Sequence, residues 1–176
     1  LNAYKTLQKV GMAVTGSLPA VGDIVTTTPT SFTIHFSFAV DPTTLRADGT
    51  SDSDLKVNDS WATAYDWHGD DGVSADPNSV TYSFGSSPVT TEGVQTMHMA
   101  AGVVATTSAL PPVKELKEWT ANFRYDALEL NVQTANPADG STVPIAAPGG
   151  SVTLSFTFNE VVDADTVGIV DLLVSQ

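Results

Sequence analysis

From Phe32 to Phe38 every second position is large and apolar: Phe32, Ile34, Phe36 and Phe38 alternate with Thr33, His35 and Ser37. This period places four apolar groups on one face of a half-buried strand. Val152, Leu154, Phe156 and Phe158 show the same alternation. Shorter strands are expected at Leu55–Val57 and Leu172–Val174, and longer ones at Val80–Phe84, Val94–Met99 and Trp119–Tyr125. Helical periodicity is nearly missing: Leu1–Val10 is a short uncapped candidate, and Pro111–Glu118 serves equally well as a loop. Counting a first strand from Val14, about seven strands fall over residues 14–126, separated by turn signals. The pattern predicts an antiparallel β-sandwich with Phe32, Ile34, Phe36, Phe38, Val80, Tyr82 and Phe84 facing inward.

The chain then repeats itself. Val14-Thr-Gly-Ser-Leu-Pro19-Ala-Val-Gly22 has a counterpart in Val132-Gln-Thr-Ala-Asn-Pro137-Ala-Asp-Gly140, about 118 residues later. Phe32–Phe38 is echoed by Val152–Phe158, Val40-Asp41-Pro-Thr-Thr44-Leu45 by Val162-Asp163-Ala-Asp-Thr166-Val167, and Asp54–Val57 by Asp171–Val174. So long a period suits tandem globular modules rather than a solenoid. The expected organisation is an N-terminal segment over residues 1–13, a complete module over 14–128 and the first half of a second over 129–176. Three strands of that half would leave an apolar face and open edges. Val152, Leu154, Phe156 and Phe158 are therefore an expected assembly face, to be completed by another copy, a neighbouring module or further chain. Pro19 and Pro137 help fix the lead into each module.

Charge changes the picture of partners. Twenty acidic residues against seven basic give a formal net charge of −13, which disfavours nucleic acid and anionic membrane. No apolar run has the length of a membrane span, so membrane insertion is not expected. Cysteine is absent, which excludes disulfides and thiolate metal sites. The chain begins at Leu1 without a signal-peptide pattern and reads as an excised or processed piece of something longer.

Candidate chemistry is confined to loops. Asp48, Asp52 and Asp54 form one acidic cluster, and Asp70, Asp71 and Asp76 another; Asp163 and Asp165 form a third. Calcium takes six to eight oxygens, and such loops supply them, although none has the twelve-residue EF-hand pattern. Asp126, Glu129 and Asp139 bracket the module junction, where a cation would stiffen the linker. The competing reading of each cluster is a solvated acidic loop. Calcium is the one cofactor to consider, and none is otherwise expected. Trp61, Tyr65 and Trp67 would share a side if their segment were extended, forming a stacking platform for a glycan with Asp66 and Asp70 as acceptors. Otherwise they fill or cover the core. His35 and His98 fall on outward strand positions and His68 in a loop, which argues against a shared zinc site. Asn58-Asp-Ser60 fits a glycosylation sequon. No nucleophile elbow or phosphate loop is present, so catalysis is not expected.

The Pro-x-x-Gly lead-in, the Phe-x-Phe strand, Val-Asp-x-x-Thr and Asp-Leu-x-Val recur in one order, and Glu92-Gly-Val-Gln-Thr96-Met-His-Met99-Ala-Ala-Gly102 adds a further marker. Together they resemble bacterial Ig-like repeats of large secreted or surface-anchored proteins. The resemblance covers most of residues 14–176. It implies tandem Ig-like sandwich modules, one complete and one partial, with a non-catalytic structural or adhesive role outside the cell, as in a surface layer or filament. A carbohydrate-binding module, or an accessory β domain of a secreted hydrolase, is the alternative. The chain departs from the repeat pattern between Asn58 and Asn78, where a longer aromatic and acidic loop is expected.

Overall fold

The computed structural model describes residues 11–72, 75–107, 112–142 and 151–162. The chain divides into two compact units, Leu1–Ala127 and Leu128–Gln176. The helical candidate at Leu1–Val10, and the counterpart segments at Asp163–Val167 and Asp171–Val174, lie outside the described residues.

The first unit contains β1 (Val14–Leu18), β2 (Ile24–Val25), β3 (Ser31–Phe36), β4 (Lys56–Val57), β5 (Ser60–Trp61), β6 (Ala64–Trp67), β7 (Ser79–Ser83), β8 (Gly93–Met99) and β9 (Trp119–Tyr125). One sheet has the order β1-β3-β7-β6 and the other β2-β9-β8-β4-β5. All pairs are antiparallel except β2 with β9. Among the described residues of this unit nine strands thus stand where about seven were expected. Residues 112–118 are not helical; Leu116 forms a bridge with Met12, and Glu115 with Ala105.

Alternation sets the inner faces. Phe32, Ile34, Val80 and Tyr82 have no exposed surface, Phe36 is 2% exposed and Phe84 6%. Met97, Met99, Val57, Ala121 and Phe123 face them from the other sheet in one apolar cluster. The Phe32 ring joins the layers: it meets Phe84 edge-on at 5.4 Å between centroids and Phe123 at 5.9 Å. Phe38, expected inside, lies two residues beyond the end of β3 and only partly buried. Lys114 Nζ caps its ring at 4.6 Å. Met12, in the stretch set apart as an N-terminal segment, is fully buried in the core.

The second unit contains β10 (Val132–Asn136) and β11 (Ser155–Phe158), paired antiparallel. Its pairing follows that of β1 with β3. Val14 opposes Phe36, the register shifts between Val14 and Gly16, and Gly16, Ser17 and Leu18 oppose His35, Ile34 and Thr33. Val132 opposes Phe158, the register shifts between Val132 and Thr134, and Thr134, Ala135 and Asn136 oppose Thr157, Phe156 and Ser155. Flanking bonds correspond too. Ser37 N donates to Ala13 O at 2.9 Å, and Asn159 N to Asn131 O at 3.0 Å. Ala13 N donates to Ser37 Oγ, and Asn131 N to Asn159 Oδ1. The turns after Pro19 and Pro137 both use a glycine of positive φ, Gly22 at 84° and Gly140 at 72°, where a side chain would be strained.

This register corrects the strand alignment drawn from sequence. Phe36 corresponds to Phe158 and Ile34 to Phe156, so Leu154, not Val152, corresponds to Phe32. Two residues of slip leave every side chain on its face, which is why alternation alone did not detect it.

Candidate functional site

The polar chemistry concentrates on the outer face of the four-stranded sheet. Directly paired residues share a face, so Thr33, Thr81 and Asp66, in register on β3, β7 and β6, lie opposite the buried Val80–Tyr82 side. A single turn of 3-10 helix over His68–Asp70 follows β6 and folds back over that face. His68 Nδ1 is 2.7 Å from Asp71 Oδ2, and His68 Nε2 is 2.8 Å from Thr81 Oγ1. Thr81 Oγ1 is in turn 2.8 Å from Thr33 Oγ1. Asp76 receives Asn78 N at 3.1 Å, and its other oxygen lies 3.7 Å from His35 Nδ1. The order carboxylate, imidazole, hydroxyl is that of a nucleophile triad. Here the last hydroxyl is shared with Thr33, and the chain of bonds ties residues 68–71 to the sheet. No sequence motif announced the His68–Thr81 pairing, since thirteen residues and a turn separate the two.

The aromatic segment is not one extended strand. Trp61 belongs to β5, at the edge of the five-stranded sheet, in register with Lys56 and His98 on its outer face. Lys56 Nζ sits 5.6 Å from its ring centroid. Tyr65 and Trp67 belong to β6 in the other sheet, opposite Tyr82 and Val80, and so lie on the core side of that edge strand. Buried Ala62 marks where the chain crosses between the layers. Trp67 packs against the core and donates from Nε1 to Pro77 O. A Cβ at Gly69 would overlap its indole ring, so glycine is what lets the turn close over it. The three rings therefore lie on two sheets and on two kinds of face.

The first acidic cluster is dispersed in a similar way. Asp48 Oδ1 accepts from Thr50 N at 2.9 Å, Thr50 Oγ1 at 2.7 Å and Ser53 Oγ at 3.1 Å. The Thr50 hydroxyl, then its N–H, hold this carboxyl below the usual range. Asp52 is exposed. Asp54 is 2% exposed and points inward, accepting from Arg46 N at 2.9 Å and Tyr82 Oη at 3.0 Å on the same oxygen. Burial raises its pKa to about 6 against the opposing pull of those two bonds. Burial, followed by the Asp54 charge, pushes the Tyr82 phenol well above its ordinary value. In the second cluster Asp71 is paired with His68, Asp76 lies near His35, and Asp70 is exposed. Among the described residues no group of three or more His, Asp or Glu side chains is arranged to hold a metal ion. Asp163 and Asp165 lie outside them.

Asn58, the first residue of the sequon, is committed to the fold. It takes φ of 52° in the two-residue turn between β4 and β5, a conformation Asn tolerates. Its Nδ2 donates to Pro88 O at 3.0 Å and Gln95 Oε1 at 2.8 Å, while Oδ1 accepts from Thr96 N at 3.0 Å. Gln95, 3% exposed, spends its own amide on Thr91 O and Gly93 O. Asn58→Ala would leave the buried Gln95 oxygen and the Thr96 N–H without these partners, at an expected cost of about 2 kcal/mol in urea melts. An unchanged midpoint would show that water replaces the amide freely.

On the expected assembly face Val152 is 49% exposed, Leu154 38% and Phe156 42%, while Phe158 is half-buried. Among the described residues no helix is long and apolar enough to cross a membrane.

No family model and no curated protein matches the chain. Solved structures similar to it include three at 14% identity. CopC from Methylosinus trichosporium OB3b has a TM-score of 0.40, covering 65% of this chain and 93% of that one. Surface layer protein SbsC, domains 1–6, has a TM-score of 0.45 over 74% of this chain and 16% of that one. The N-terminal part of the bacterial S-layer protein SbsC has 0.44 over 74% and 27%. The chain thus spans a small part of either SbsC structure.

Proposed function

We propose that the chain is a piece of an array of Ig-like sandwich modules, acting as a structural or adhesive element outside the cell and carrying no catalysis of its own. The observation that supports this reading is the recurrence in the second unit of the β1–β3 pairing: the same bulge, the same flanking bonds and the same glycine turn. A geometry repeated in that detail points to one module used more than once, and a stiff sandwich repeated along a chain is a spacer or scaffold. The polar side chains fit the role. His68, Asp71, Asp48 and Asn58 are bonded within their own unit, where they hold loops against sheets. Antibodies against residues 12–127 should label intact cells of the source organism. Labelling that appears only after permeabilisation would discard the extracellular reading.

A further inference from the structure

Equivalent positions of the two units differ in what covers them. Phe32, Ile34 and Phe36 are at most 2% exposed, yet their counterparts Leu154 and Phe156 are 38% and 42% exposed, and Phe158 is half-buried. In the first unit that face is covered in two ways. β7 pairs with the free edge of β3, setting Tyr82 against Phe32 and Val80 against Ile34. The opposite sheet then brings Phe123 onto Phe32. Among the described residues, β11 has β10 on one side and no strand on the other. Bare strand edges next to apolar faces invite strand addition.

Resting on the module reading above, we infer that the edge of β11 away from β10, with Leu154, Phe156 and Phe158, is a receiving site for a segment of the pattern of residues 45–126. Its first contact is a strand of the β7 kind, apolar at alternate positions, laid against β11. Strands like β8 and β9, bearing apolar groups such as Met97, Met99 and Phe123, then close the face. A second intact copy of this chain is a poor occupant. Its β7 is held on both edges, by β3 and β6, and its own second unit shows only β10 and β11 among the described residues. The net charge of −13 on each copy adds repulsion.

The test extends the full chain. Residues 167–176 are replaced by a second copy of residues 45–127, joined after Thr166, the counterpart of Thr44 in the Val-Asp-x-x-Thr segments. The 1–176 chain is expected to be monomeric in sedimentation, to bind a hydrophobic dye, and to exchange the Ser155–Phe158 amides quickly. In the extended chain the dye signal should fall, and those amides should slow by roughly 100-fold or more, as strand amides that open only with their sheet do. Unchanged exchange and dye binding, with the first unit still folded by its own amide protection, would overturn the inference. A concentration-dependent dimer of 1–176, protected at β11 and dissolved by Phe156→Ser, would also overturn it by making a second copy the occupant. A closed second sandwich in a protein that never reaches the cell surface would leave this inference standing while failing the extracellular reading.

Discussion

Phe32→Ala is expected to destabilise the first unit by about 3–5 kcal/mol, the range for emptying a buried aromatic site. The ring has no exposed surface and is the contact that spans the two layers, touching Phe84 on its own side and Phe123 across. Truncation removes the burial of the ring and leaves a void between two sheets that hydrogen bonding holds at a fixed spacing, so collapse can recover little of the loss. Domains of this size are stable by only about 5–15 kcal/mol, so the urea midpoint should move far. The same truncation at Leu154, the equivalent position in the second unit and 38% exposed, should cost well under about 1 kcal/mol. Loss at Phe32 as small as that at Leu154 would show that the sheets do not depend on this contact.

The strands legible in the sequence are those whose alternation runs long enough to show a period. β3, β7, β8 and β9 span five to seven residues each and were found within a residue or two. β2, β4 and β5 have two residues each, too few for periodicity; Leu55 and Val57 mark the position of β4, and nothing local marks β2 or β5. β6 did alternate, through Tyr65, Asp66 and Trp67, but its length and Trp61 nearby suggested one aromatic row. What separates Trp61 from the other two is the crossing at Ala62, a tertiary event with no local signal. Asp54 illustrates the same limit. In sequence it is one acid of a loop cluster, while in the fold it is buried and accepts the Tyr82 hydroxyl, which reaches it from β7. Asn58-Asp59 is a further case: it lacks the glycine of the usual two-residue hairpin turn, and its flanking strands Lys56–Val57 and Ser60–Trp61 carry no apolar run to mark it.

Asp54 gives the fold an unusual pH dependence. Its carboxyl, titrating near 3.9 in an unfolded chain, is raised to about 6 in the folded one by burial. The folded state therefore holds this proton more tightly, and folding takes up a proton between about pH 4 and pH 6. The stability gained from Asp54 is complete below about pH 4 and is lost as pH rises through about 6. The difference amounts to at most about 3 kcal/mol at 1.36 kcal/mol per pKa unit. Asp48 and Asp41, held low by the Thr50 and Thr43 hydroxyls, act in the opposite sense, losing their contribution as pH falls below the ordinary carboxylate range. Comparison with Asp54→Asn separates the two effects. The amide keeps an oxygen for Arg46 N and Tyr82 Oη but carries no titrating charge. Urea melts from pH 4 to pH 7.5 should show the natural chain losing stability relative to the variant across this window, with the gap flat above about pH 7. Profiles that run parallel over the whole range would mean that Asp54 ionises as freely in the fold as in water, and that the Tyr82 and Arg46 bonds fully offset its burial.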